Sequence, residues 1–257
     1  MKIFSALRFV GLGLATAGAI TATQTVSAKE FAGGEIAASA AVSNIYLFRG
    51  IDQSAVLFGS GFGSGAISGD INYSHSGAYV GVWATSGLGG TTETDVYLGY
   101  GIELDSGLSI DLNVTSYVYA GSQNSFVDGS ADNVGDFSEV ILTVGYSTDE
   151  MGGSVQYVDN VAGATGYTYL AFSAEYGDFS ATLGLQDPEE ADGQTFDDDI
   201  THLDITYAHN DNLSFTLSKV IDIDDEVNVN KAEFVGGSPI AVDDDALFLV
   251  TYSLPIE

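Results

Sequence analysis

The chain has 257 residues, with 36 acidic side chains against six lysines and arginines, and no cysteine. A nucleic-acid partner needs a basic surface that this composition does not supply. Disulfides, thiolate metal sites and cysteine nucleophiles are excluded outright.

In chain order, the first segment reads as an address. Lys2 and Arg8 give a positive start, Phe9 to Ile20 is apolar and small, and Val26-Ser27-Ala28 ends in small residues. This pattern predicts a secretory signal peptide over 1–28, cut after Ala28, followed by one β-barrel domain over 29–257. The apolar run is shorter than the about 20 residues a membrane helix needs, and no later stretch is long enough either. Any spanning of a membrane then falls to strands, because only helices and closed barrels satisfy every backbone group in lipid. Removing the leader leaves four bases, Lys29, Arg49, Lys219 and Lys231, against all the acids. Such charge suits either a saline habitat, where screening tolerates it, or an interior that attracts cations.

Twelve strands are predicted, near 35–45, 65–74, 78–86, 93–103, 107–119, 138–147, 153–159, 166–176, 178–186, 200–208, 212–220 and 246–254. Alternate residues of a strand share a face, so parity tests each one. Thr94, Val96, Leu98, Tyr100 and Ile102 alternate with Glu93, Asp95, Tyr97, Gly99 and Gly101. Leu108, Ile110, Leu112 and Val114 alternate with Ser109, Asp111, Asn113 and Thr115. The strand at 78–86 is ambiguous, because Tyr79 and Trp83 share the parity opposite Val80 and Val82. Connections alternate as well. Short turns at 75–77, 105–106, 148–152, 177 and 209–211 are interleaved with mostly longer loops, several rich in Asp, Asn, Gly and Ser. An even strand count with short turns at one rim and long loops at the other predicts an all-β transmembrane antiparallel barrel of about 12 strands. A soluble secreted β-sandwich binding module is the structural rival, since it too alternates.

On the apolar parity, Tyr73, Tyr146, Tyr176 and Tyr207 each lie just before a short turn, with Phe179 and Tyr252 near the same rim. They are expected to form a membrane-interface girdle, where a ring is apolar and a hydroxyl wet. On the polar parity, Asp70, Asp95, Asp111, Glu139, Glu175 and Asp204 are expected to point inward and line a water-filled lumen. Rings of carboxylates in a narrow aqueous path attract cations and exclude anions. Arg49 is the one arginine outside the leader. Among so many carboxylates it is expected to pair bidentately, either tying down the first long loop or forming one wall of a constriction.

The run Tyr46-Leu47-Phe48-Arg49-Gly50-Ile51-Asp52-Gln53-Ser54 leaves the first predicted strand. Its Tyr-x-x-Arg-Gly-Ile-x-Gln-Ser pattern resembles the opening motif of the TorF-type porins, a bacterial outer-membrane family. The blocks Gly77 to Ala84 and Glu93 to Tyr100 resemble that family's next two, and the likeness is firm over about 42–104. The resemblance implies an outer-membrane barrel acting as a porin, with no established substrate and no catalytic residues. The corresponding expectation is passive passage of small hydrophilic solutes, with a preference for cations, in the outer membrane of a Gram-negative bacterium. The expected partners are outer-membrane lipid and lipopolysaccharide. The alternative is a non-conducting structural or loop-display barrel, since a small barrel can be filled by its own side chains.

Other motifs carry less. The acidic clusters Asp197-Asp198-Asp199, Asp222 to Glu226 and Asp243-Asp244-Asp245 read as solvated faces, because Val227 stands where a calcium loop needs glycine. Gly59 to Gly65 lacks the lysine and helix of a phosphate loop. His75, His202 and His209 lack metal spacing, so no metal or cofactor is expected. His202 and Asp204 with a nearby serine do not amount to a hydrolase pattern, and the chain is read as a non-enzyme.

Overall fold

The computed structural model describes residues 27–53, 65–88, 91–120, 133–163, 166–187, 199–223 and 245–254. Residues 1–26 of the leader expected over 1–28, residues 59–64 of the glycine run and most of the three acidic clusters lie outside them.

The strands are β1 (Ser27–Phe31), β2 (Gly34–Ser43), β3 (Leu47–Phe48), β4 (Ile51–Asp52), β5 (Ala66–His75), β6 (Ala78–Leu88), β7 (Thr91–Glu103) and β8 (Leu108–Ala120). They continue as β9 (Ser138–Ser147), β10 (Met151–Ala162), β11 (Thr168–Tyr176), β12 (Phe179–Asp187), β13 (Ile200–Ala208), β14 (Leu213–Ile223) and β15 (Leu247–Ser253). From β5 to β15 each strand pairs antiparallel with the next, and β2 bonds to both β5 and β15. The sheet therefore closes as a barrel of twelve strands, β2 and β5 to β15. It is one closed cylinder and not the two packed sheets of a sandwich, so every wall strand has two neighbours and no edge is left open.

All twelve wall strands were expected, within a few residues at each end. Three elements were not. β3 and β4 form a separate two-stranded sheet. β1 pairs with β2 from Ser27↔Ala38 to Phe31↔Gly34, on the same edge of β2 that β15 uses higher up. Leu254 N donates to Ala40 O between the two, so β15 and then β1 cover that edge in succession. The expected cut after Ala28 falls inside β1.

Short connections owe their tightness to backbone chemistry. In Phe31–Gly34 and His75–Ala78 the two central residues, Ala32-Gly33 and Ser76-Gly77, all have positive φ. That is the type I′ pattern, whose twist matches that of the flanking strands.

Parity sorts the side chains. Ile71, Val80, Leu98, Leu112, Val144, Val155, Leu183 and Ile205 stand exposed on the outside. The opposite parity is buried inside and is mostly polar: Asp70, Asn72, Asp95, Asp111, Asn113, Thr115, Glu139, Thr143, Gln156, Thr206, Thr216 and Ser218. This inverts a soluble protein, because an apolar exterior is stable only against an apolar solvent.

Candidate functional site: the lumen and its inward hairpin

Beyond Ser43 the chain leaves the wall and turns into the barrel. β3 and β4 pair only through Leu47↔Asp52 and Phe48↔Ile51, with Arg49-Gly50 as a two-residue loop. Both loop residues have positive φ, 49° at Arg49 and 81° at Gly50, so this too is a type I′ turn. Arginine pays a steric cost there that glycine or asparagine does not. Gly50 lies against the imidazole of His202, where even a methyl group would collide.

The hairpin touches opposite walls. Tyr46 packs with Ala66, Trp83 and Tyr97, and its hydroxyl donates to Glu93 at 3.1 Å. Ile45 and Leu47 pack against Leu249. At the tip, Arg49 Nη1 and Nη2 donate to Glu139 Oε1 and Oε2 at 2.9 and 2.7 Å, both side chains being buried. Nη1 also donates to the Tyr167 hydroxyl at 3.1 Å. Tyr167 donates to Gln186 Oε1 at 3.0 Å, and Gln186 Nε2 returns a bond to the carbonyl of Arg49 at 2.8 Å. The five bonds join the tip to β9, β12 and the segment before β11, those through Tyr167 and Gln186 closing a circuit. The guanidinium lies over the rings of Phe48, Tyr169 and Tyr167, at 4.6, 4.7 and 5.4 Å from their centroids.

Burial opposes the Arg49 charge, but Glu139 beside it more than compensates and holds the guanidinium well above its ordinary pKa. Burial pushes the Tyr46 phenol up, and the nearby Glu93 and Asp95 carboxylates push it further. Tyr167 is raised by burial, with Arg49 working against the shift and Glu139 for it. All three groups keep the protonation states their hydrogen bonds require.

Five of the six expected inward carboxylates face the interior and are buried: Asp70, Asp95, Asp111, Glu139 and Asp204. Glu175 is on the inward parity but lies exposed next to the short turn at 177–178. The interior acids are held by tyrosines, which sequence reading did not place there. Tyr97 donates to Asp70 Oδ2 at 2.6 Å, and Asn72 to its Oδ1 at 2.7 Å. Tyr79 reaches both oxygens of Asp111 at 2.8 and 2.9 Å, and Tyr117 donates to Glu139 Oε2 at 2.7 Å. Hydroxyl donors stabilise a carboxylate without cancelling its charge. Asp95 Oδ1 is buried with no hydrogen-bond partner.

Room for these rings comes from glycine. Tyr97 lies over Gly81 and Tyr79 over Gly99, its register partner on the next strand, and a Cβ at either glycine would strike the ring. The signal was present in the ambiguous strand: Tyr79 and Trp83 share the parity of Gly81, opposite two valines.

The lumen wall is asymmetric. Asp70, Glu93, Asp95, Asp111 and Glu139 occupy an arc over β5, β7, β8 and β9. Across from them, β13 to β15 present Thr206, Ser214, Thr216, Ser218, Thr251 and Ser253. His202 and Asp204, both buried on β13, belong to this second arc. His202 Nε2 is 3.1 Å from the Tyr169 hydroxyl, and His202 Nδ1 is 3.3 Å from Asp204 Oδ1. Tyrosine, not serine, occupies the ring nitrogen a hydrolase would need.

Of the expected interface aromatics, Tyr146, Tyr176, Phe179, Tyr207 and Tyr252 are on the exterior at the short-turn end. Phe179 and Tyr207 pack 5.1 Å apart. Tyr73 is half-buried, edge-on to Phe31 beside the β1–β2 turn.

Several solved structures align with most of this chain. The KdgM porin in complex with disordered oligogalacturonate aligns with 10% identity over 86% of this chain and 99% of that one, with a TM-score of 0.47. The KdgM porin alone gives 9% identity over 85% and 96%, with a TM-score of 0.45. The outer membrane protein OprD from Pseudomonas aeruginosa gives 11% identity over 89% and 67%, with a TM-score of 0.41. No curated protein matches the chain. A family model does, over residues 27–239, which takes in every strand but β15: the chain belongs to the Gcw_chp family, described as a bacterial protein of unknown function.

Proposed function

We propose that this chain is an outer-membrane porin that passes small hydrophilic solutes by diffusion and favours cations over anions. The observation that carries this reading is the arc of interior carboxylates, with Asp70, Glu93 and Asp111 each accepting a bond from a tyrosine hydroxyl and Asp95 buried beside them, inside a barrel whose outer surface is apolar. In a narrow lumen of low dielectric such charges act over the whole cross-section, because little solvent screens them. The inward hairpin narrows the path that solutes take through the lumen. The likeness of the Tyr46-x-x-Arg49-Gly50-Ile51-x-Gln53 motif to TorF-type porins supports the same reading. So does the leader expected over 1–28, which routes the chain through the periplasm to the outer membrane. The exterior tyrosines at the short-turn end then take the interface with lipid and headgroups.

Conductance across a planar bilayer in a salt gradient tests this. A reversal potential of the sign set by K⁺ is expected; a sign set by Cl⁻ rejects the selectivity. A second reading, a non-conducting barrel that stabilises the envelope or displays its loops, is favoured by the hairpin itself. Ile45 and Leu47 are buried against Leu249, as in a core. No conductance steps at any voltage would decide for it.

A further inference from the structure

We propose that His202, Asp204 and Ser218 form a binding site for a first-row divalent transition-metal ion, Zn²⁺ or its neighbours, on the inner wall of the barrel.

The three side chains share one face of the sheet. His202 and Asp204 are two residues apart on β13, so the period of the strand sends both inward. Ser218 is the register partner of Asp204 on β14. All three are buried, at 1%, 3% and 0% exposure. Each carries a polar atom without a hydrogen-bond partner among the described residues: His202 Nδ1, Asp204 Oδ1 and Ser218 Oγ. Buried polar atoms are ordinarily satisfied, so three orphans at neighbouring positions of one wall point to a shared ligand.

The spacing fits a metal ion better than a proton. His202 Nδ1 and Asp204 Oδ1 are 3.3 Å apart and make no aligned hydrogen bond. A charge-assisted N–H···O bond would draw them to about 2.7–2.9 Å. Two ligands of a tetrahedral ion, each about 2.0–2.1 Å from it, stand about 3.3 Å from one another. The imidazole is also held as a metal ligand is held. Its Nε2 lies 3.1 Å from the Tyr169 hydroxyl, and the two rings stack with 7° between their planes. Gly50 and Gly184 leave the room it fills, since a Cβ on either would strike it. A hydrogen bond at one ring nitrogen orients a histidine and leaves the other nitrogen to the metal.

The donor set selects the ion. Imidazole nitrogen with carboxylate and hydroxyl oxygen suits Zn²⁺, Ni²⁺ or Cu²⁺, whereas Ca²⁺ takes about six to eight oxygens. So few protein ligands leave positions for water, and an ion held this way can exchange. Its role as a stopping point for metal ions in transit rests on the porin reading; the binding itself does not.

The test uses the full chain without a histidine tag, folded in detergent and checked by its heat-modifiable migration. Zn²⁺ titrated by calorimetry in excess Ca²⁺, which occupies surface carboxylates, should show one site per barrel. Asp204→Asn and His202→Gln should each weaken that site by about tenfold or more. Loss of the site to Ca²⁺, or unchanged affinity in Asp204→Asn, overturns the proposal. A second measurement leaves the site untouched. His75→Gln with His209→Gln makes His202 the only imidazole of the chain. One equivalent of Cu²⁺ on that protein should show coupling to an imidazole nitrogen in its electron paramagnetic resonance spectrum. A spectrum of oxygen ligands alone overturns the proposal, whether or not His202→Gln folds. Zn²⁺ binding at this site in a protein that passes no current would support the site while rejecting the porin.

Discussion

Asn44 clasps Val250 where the barrel closes. Val250 N donates to Asn44 Oδ1 at 2.6 Å, and Asn44 N donates to Val250 O at 3.4 Å. The Asn44 amide also donates to Phe248 O at 2.8 Å. β15 pairs with β2 only at Ser43, Val42 and Ala41, and beyond Ser43 the chain departs inward to build the hairpin. One side chain thus continues the ladder past the last backbone pair, so the first wall strand can end without orphaning its neighbour.

Asn44→Ala removes that continuation. Val250 N and Phe248 O then lose their partners at the seam, a loss of about 0.5–1.5 kcal/mol for bonds in an exposed position. The barrel should unfold at lower temperature, read as the temperature at which the heat-modifiable band shifts. Asn44→Asp keeps the acceptor for Val250 and should lose less than alanine; equal loss would mean the amide is not the closure.

The tyrosine–glycine contacts give a second prediction. Gly81→Ala drives a methyl into the Tyr97 ring and should cost about 1–3 kcal/mol as the ring is forced from its rotamer. Its bond to Asp70 breaks with it. Tyr97→Phe keeps the ring and removes only the hydroxyl, so it should cost less and leave the near-ultraviolet circular dichroism of the aromatic cluster nearly unchanged. If Gly81→Ala is neutral in a thermal melt, the ring does not lie where described.

The buried ion pair should behave non-additively. Arg49→Met leaves Glu139 an unpaired buried carboxylate, at about 3–5 kcal/mol. Arg49→Met with Glu139→Gln should recover most of that, since neither charge is then stranded. A double-mutant cycle on thermal stability measures the coupling; additive losses would show that the two groups do not depend on one another. Both variants release the hairpin tip, so single-channel conductance should rise in each.

Selectivity should follow the acidic arc. Asp95→Asn together with Asp111→Asn removes two interior charges while keeping side-chain shape. Cation preference should weaken, moving the reversal potential in a KCl gradient toward zero. An unchanged potential would mean those side chains lie off the path of ions.

Much of this architecture was legible from the sequence alone. A strand has a side-chain period of 2, so the wall strands, their inward and outward faces and the rim holding the short turns follow from parity and spacing over a few adjacent residues. Five of the inward carboxylates and the exterior position of Tyr146, Tyr176, Phe179, Tyr207 and Tyr252 belong to that local rule. Tyr97 and Glu93 shared a parity in plain view, yet nothing local says that a tyrosine on the polar face will lie across a neighbouring glycine and bond an acid.

Only the tertiary structure decided the rest. Arg49 finds Glu139 across 90 residues of sequence, and Gln186 finds the Arg49 carbonyl across 137. The turn Arg49-Gly50 follows from two adjacent residues, but whether it faces solvent or the lumen does not. That is settled when twelve strands close and bring a carboxylate, two aromatic faces and an amide to one point on the inner wall. Closure creates an interior where an unpaired charge is expensive, and the same expense draws the lone guanidinium inward to its partner.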